Sequence, residues 1–213
     1  MNQLADIRKE YRLHRLIEGG VAENAMEQFE RWWNDAMRSE LEEVNAMTLA
    51  TASADGLPSA RIVLLKGFQA DGFRFFTNYD SYKGKQLLEN PRACLVFFWK
   101  ELERQIRITG LVEKLGREDS DAYFSSRPVG SQIGAWASPQ SAVIESAKWL
   151  AQLAGQFETK FAVGGIPRPP HWGGYLVRPV TMEFWQGRPN RLHDRLLYSL
   201  QEDGNWLIER LAP

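Results

Sequence analysis

Cysteine is almost missing from this chain: Cys94 is the only one in 213 residues, so an intrachain disulfide and a thiolate metal cluster are both excluded. Histidine is scarce as well. His14, His171 and His193 are scattered without metal-ligand spacing, and no metal site is expected. Long apolar runs are lacking: no segment approaches the roughly 18 apolar residues of a membrane span. The opening MNQLADIRKEYRLHR has no apolar signal stretch, so with its lone thiol the chain reads as a cytoplasmic protein with no membrane partner. An excess of charge is absent too. With 26 Lys and Arg against 27 Asp and Glu, the protein has no overall attraction for nucleic acid, which argues against a basic RNA-binding barrel. No G-x-G-x-x-G follows a strand, and there is no Walker loop and no G-x-S-x-G elbow, which removes Rossmann-type nicotinamide, P-loop and α/β-hydrolase chemistry.

What is present in quantity is aromatic: 12% of residues, eight of them tryptophan. Core packing and stacking surfaces for a flat ligand both use such residues. Asn24 followed by Glu27, with Met26, Phe29, Trp33 and Met37 at helical spacing, predicts a capped amphipathic helix to about Leu41. From Ala46 the period becomes that of strands. AMTLATAS, PSARIVLLKGF and GFRFFTN are separated by SADG and QADG, and Asp-Gly predicts antiparallel hairpins. SYKGKQLLEN reads as a short helix stopped by Pro91, and RACLVFFWK and RQIRITGLVEKL as two more strands. So many strands with one brief helix among them predict an antiparallel sheet closing as a barrel, a mainly β fold with helices. A helical stretch over 116–165 follows, with a long helix expected from about Ile144 to Val163. GGIPRPPHWGG reads as a loop; GYLVRPVTMEFWQG, RLHDRLLYSL and WLIERL return to strands. The whole reads as one domain, 1–213, with an arm over 1–23 and a helix over 24–42.

Several cations stand where a fold would not choose them. RIVLLK, Arg61 to Lys66, is an apolar strand with a charge at each end, and alternation sends the two charges to opposite faces. Lys83 and Lys85 occupy the opening turns of the helix capped by Ser81, where the helix dipole disfavours cations unless an anion is bound. Tyr123 and Arg127 share a helix face, and Pro128 turns the chain toward Ser131; a phenol, a guanidinium and a hydroxyl together suit a phosphate. RLHDR places Arg191, His193 and Arg195 on one face of an expected strand, beside Trp185 and Gln186 of EFWQG. Three potential cations on one face repel one another unless a ligand shares the space.

The run from Glu183 to Arg195, EFWQGRPNRLHDR, resembles the C-terminal signature of the pyridoxamine 5'-phosphate oxidase family. RIVLLK, FFTNYDS, NPRACLVFFW, ERQIRITG, SRPVGSQIGAWASPQS and the terminal IERLAP resemble that family in the same order, from about Phe29 to Pro213. The resemblance implies an FMN-binding split-barrel homodimer with the FMN site at the subunit interface. It also implies oxidation of pyridoxamine or pyridoxine 5'-phosphate by dioxygen to pyridoxal 5'-phosphate, in vitamin B6 biosynthesis and salvage. FMN would be met by Arg61, Ile62, Val63, Leu64, Leu65, Lys66, Phe76, Thr77, Tyr82, Lys83, Gln105, Gln140, Ser141, Trp185 and Arg195. The substrate phosphate would meet Lys66, Tyr123, Arg127 and Ser131. Arg191 and His193 would be catalytic and lie with Leu192 against the substrate ring, while Arg8, Lys9, Glu10 and Tyr11 would close over it. Where the family usually has Ser-Arg-Lys this chain has Ser81-Tyr82-Lys83, one cation fewer near the expected FMN phosphate. The alternative from another class is a non-catalytic split-barrel binder of flavin or pyridoxal phosphate.

Overall fold

The computed structural model describes residues 10–213. Helix α1, Ala25–Arg38, is capped by Asn24, whose Oδ1 accepts the Met26 N–H at 2.8 Å. It ends three residues before Leu41 because the Ser39 N–H and hydroxyl both donate to the Ala36 carbonyl. Its apolar stripe carries Phe29, fully buried, to within 4.9 Å of Phe68, 4.8 Å of Phe73 and 5.5 Å of Phe97, ring centre to ring centre. Burying one such ring contributes about 2–3 kcal/mol, so α1 acts as a stopper for the sheet.

The strands are β1 (Ala46–Ala52), β2 (Pro58–Leu64), β3 (Gly67–Gln69), β4 (Gly72–Asn78), β5 (Arg92–Trp99), β6 (Arg104–Lys114), β7 (Trp172–Gln186), β8 (Asp194–Leu200) and β9 (Trp206–Arg210). Each pairing is antiparallel, in the order β2-β1-β5-β6-β7-β4-β3. Strands β2 and β3 lie at opposite ends of that path, yet only Leu65 and Lys66 separate them in sequence. The sheet therefore has to curl until its ends meet, the barrel that the strand pattern predicts. Both Asp-Gly hairpins form, β1 with β2 and β3 with β4.

Strand β7 explains why the barrel is split. One edge of its 15 residues pairs with β6, while the other edge is shared, β4 taking Trp172–Val177 and β8 taking Thr181–Gln186. Strands β8 and β9 thus extend the sheet away from the closed part. Helix α2 (Tyr82–Glu89) lies between β4 and β5, and α3 (Arg117–Ser126), α4 (Val129–Ala137) and α5 (Ala147–Lys160) lie between β6 and β7.

Four expected boundaries are corrected. PSARIVLLKGF is broken, because the Leu65 N–H turns to Asn45 O while the Lys66 N–H turns to Arg74 O, so the chain changes partners there. Helix α5 is shorter than Ile144 to Val163: Ser146 Oγ accepts the Trp149 N–H at 3.0 Å and starts it late. Strand β7 begins at Trp172 rather than Gly174, since Trp172 already pairs with Asn78. RLHDR is not a strand before Asp194. Asn190 and Arg191 adopt φ of 56° and 61°, and the Leu192 N–H closes a turn onto Pro189 O. Arg191, His193 and Arg195 consequently do not share a strand face.

Candidate functional site

A cavity of about 900 Å³ opens between β2, the end of β4, α2 and the α3–α4 corner. Arg61, Ile62, Val63, Leu64, Lys66, Phe76, Thr77, Tyr82, Lys83, Tyr123, Arg127, Ser131, Gln140 and Ser141 all line it. Arg61 and Lys66, expected on opposite faces of one strand, both reach this cavity, because β2 ends at Leu64 and the chain has changed partners by Lys66. Leu65 does not line it: its side chain is 4% exposed and packs into the core. Lys85 is also turned away, toward a separate hollow beside Trp136.

Among the described residues, the cavity's cations lack anionic partners of their own. Lys83 Nζ, on the first turn of α2, donates to Gln140 Oε1 at 3.0 Å, Thr77 Oγ1 at 3.2 Å and Ser81 Oγ at 3.3 Å. All three acceptors are neutral. Burial, aided by the nearby Arg61 guanidinium, pulls its pKa down to about 8. Arg61 donates to Leu49 O, Thr51 Oγ1 and Ser59 Oγ at 3.1, 2.6 and 2.6 Å, and desolvation lowers its pKa too. The guanidinium of Arg127 lies 4.5 Å from the centre of the Trp172 ring, and its Nη1 is buried without a hydrogen-bond partner among the described residues. Phe76, Tyr123 and Trp172 form a parallel aromatic wall, with Tyr123 stacked 3.9 Å from Phe76. Three desolvated cations beside a flat aromatic wall suit an anionic, planar ligand.

The other expected residues gather elsewhere, at the far end of β7. Gln105 pairs with Trp185, and Trp185 with Arg195. Arg195 Nε donates to Glu183 Oε1 at 2.8 Å, which raises its pKa. His193 packs 4.6 Å from Trp185, and its Nδ1 accepts the Arg188 N–H at 3.0 Å. That bond leaves the proton of the neutral imidazole on Nε2, which is then a donor. Burial, with Arg191 adding to it, lowers the His193 pKa. Arg191 and Leu192 lie in the preceding turn, Leu192 being 69% exposed. The left-handed backbone of Asn190 and Arg191 costs of order 1 kcal/mol each. Tyr11 rests against Trp185 and His193, Glu10 pairs with Arg12, and Arg8 and Lys9 lie outside the described residues.

Sequence reasoning missed Trp172, Asn78 and Ser138, which also line the cavity. Trp172 was obscured by the proline and glycine residues preceding it, although an aromatic residue next to His171 and Gly173 was itself a signal. Among the described residues no helix is long and apolar enough to cross a membrane.

Residues 33–160 match the family described as Pyridoxamine 5'-phosphate oxidase, and residues 172–213 match the Pyridoxine 5'-phosphate oxidase C-terminal dimerisation region. Pyridoxine/pyridoxamine 5'-phosphate oxidases from Cupriavidus metallidurans and Salinibacter ruber are each 56% identical to this chain, covering 100% of both sequences in either case. The crystal structure of PhzG from Burkholderia lata, in complex with tetrahydrophenazine-1-carboxylic acid, superposes with a TM-score of 0.87 at 30% identity, covering 94% of this chain and 99% of that one. An FMN-binding protein from Nostoc punctiforme, related to pyridoxamine 5'-phosphate oxidase, shares the fold with a TM-score of 0.70 at 18% identity, covering 89% of this chain and 98% of that one. With a full-length match at this identity and both family regions in order, the chain belongs to the pyridoxamine 5'-phosphate oxidase family.

Proposed function

We propose that this protein is an FMN-dependent oxidase that converts pyridoxamine 5'-phosphate and pyridoxine 5'-phosphate to pyridoxal 5'-phosphate, working as a homodimer with each site shared between two chains. The observation that carries the reading is the separation of two half-sites along one strand. Trp172 walls the cavity at one end of β7 and Trp185 sits beside His193 at the other. At 3.3 Å per residue that is about 40 Å of strand, too far for one flavin and one pyridine ring. A two-fold interface brings the unlike ends of two chains together twice, because each patch then meets its complement on the partner. The match to a C-terminal dimerisation region supports this arrangement.

The buried cations fit phosphorylated ligands. Arg61 and Lys83, with Thr77, Gln140 and Ser141, would hold FMN. Arg127, Lys66, Tyr123 and Ser131, which all line the cavity, would hold the substrate phosphate. The chemistry FMN supplies when bound is acceptance of the C4' hydride at N5, with dioxygen taking the electrons and leaving as hydrogen peroxide. The chain's own contribution is placement and charge. His193 offers Nε2–H as a fixed donor to the substrate ring, Arg191 sets a permanent cation beside it, and Trp185 excludes water from the shared face. Purified protein should be yellow and, given pyridoxamine 5'-phosphate in air, should produce peroxide and aldehyde together. A yellow protein that makes neither is the non-catalytic binder instead.

A further inference from the structure

After β5 the chain makes a short turn, Lys100–Leu102, and Glu103 follows it in a left-handed conformation, φ 54°. Glu103 is only 4% exposed. Its Oε2 accepts two consecutive main-chain N–H groups of the N-terminal segment, Arg12 at 2.8 Å and Leu13 at 3.1 Å. Its main-chain carbonyl accepts the Gly187 N–H at 2.7 Å and the Gln186 side-chain amide at 3.1 Å. One residue thus ties the N-terminal segment through its side chain and the β7–β8 corner through its backbone. Hydrogen bonds to an ionised acceptor are the strong kind, and a left-handed non-glycine residue persists only where its surroundings hold it.

Tyr11 lies between the two tied pieces. Its ring stands edge-on to Trp185 at 5.7 Å and to His193 at 6.0 Å. Gly187 faces it so closely that a Cβ there would sit 2.6 Å from Tyr11 Cγ and 2.7 Å from Tyr11 Cβ. Any side chain at 187 would expel the ring.

We propose that Glu103 is a positioning residue for substrate capture: it anchors Arg12 and Leu13 so that Tyr11 walls the Trp185 and His193 surface, with Gly187 as the gap that admits the ring. The kinetic consequence rests on the oxidase reading, while the anchor itself does not. A wall that touches bound substrate without touching the reacting carbon contributes equally before and at the transition state, so its loss raises KM and spares kcat. The cavity around Lys83 does not include Glu103, Gly187 or Tyr11, so its grip on FMN should be kept.

The test uses the FMN-loaded protein carrying Glu103→Ala, Glu103→Gln, Gly187→Ala, Tyr11→Gly and the last two combined. It measures amide hydrogen exchange over residues 10–18 together with steady-state kinetics on pyridoxamine 5'-phosphate. In Glu103→Ala the Arg12 and Leu13 amides should exchange at least about tenfold faster and KM should rise about tenfold, with kcat within about threefold. Glu103→Gln keeps an acceptor oxygen but loses the charge, and should fall between the parent and Glu103→Ala in both readouts. Gly187→Ala should raise KM with Glu103 intact, and should add nothing once Tyr11 is glycine. Unchanged exchange in Glu103→Ala, or faster exchange with an unchanged KM, overturns the proposal. If Glu103→Ala does not fold, an unchanged KM in Gly187→Ala overturns it as well. A parent protein without oxidase turnover sinks the functional reading instead, and exchange then decides the anchor.

Discussion

Lys83 should take up a proton when a phosphorylated ligand binds. Lys83 is buried, its ammonium is met by three neutral acceptors and lies near Arg61, and burial lowers its pKa from 10.5 to about 8. At pH 8.5 only about a quarter of the molecules carry that proton, against about nine-tenths at pH 7.0. A phosphate dianion beside Nζ favours the charged form and moves the pKa back up. Binding at pH 8.5 should therefore absorb about 0.7 proton through this group, and at pH 7.0 only about 0.1. Calorimetric titration of FMN into the apoprotein, in two buffers of different ionisation enthalpy at each pH, reads the proton count directly. Lys83→Met should abolish the difference between the two pH values. The sign for stability of the empty protein is the reverse of a salt-bridged lysine. Because the folded pKa is depressed, the unfolded chain binds more protons between about pH 8 and 10.5, so apoprotein stability rises with pH across that window, by at most about 1.4 kcal/mol per pH unit. Below pH 8 the full cost of the buried charge is present. An uptake no larger at pH 8.5 than at pH 7.0 would refute the assignment of Lys83 as a phosphate ligand.

Arg127→Met removes a desolvated cation whose Nη1 lacks a hydrogen-bond partner among the described residues; thermal melting should show an apoprotein at least as stable as the parent, while substrate KM rises by about 10- to 100-fold for one lost charge-assisted contact. Arg191→Leu should lower kcat/KM with flavin absorbance unchanged; unaltered turnover would remove Arg191 from the mechanism. Gly84→Ala places a methyl group against the Tyr79 carbonyl at the start of α2; denaturant unfolding should show a loss of about 1–3 kcal/mol, with weaker FMN binding because Lys83 moves with the helix.

The barrel was legible because alternation and Asp-Gly turns are local signals, and the pairing of β1 with β2 and of β3 with β4 follows from them without tertiary information. The cavity's cations were legible for a different reason. Lys83 at a helix start, and Arg61 and Lys66 flanking aliphatic residues, contradict what packing alone would select, and the structure gathers all three around one cavity. The turn before β8 was misread because RLHDR alternates like a strand. Its conformation comes from Asn190 and Arg191 at positive φ, and the only local hint was Pro189-Asn190, a pair with turn chemistry. What no local pattern could supply was the separation of the site into two halves. Trp172 and Trp185 are thirteen positions apart on one strand, and their distance becomes evident only when β7 is seen to run unbroken past β4 onto β8. A continuous strand of that length cannot fold back on a ligand. Under the proposed function, the cation-lined cavity at one end and the His193 turn at the other would serve one reaction only across a second chain, an arrangement that rests on the run of β7 rather than on any single binding residue.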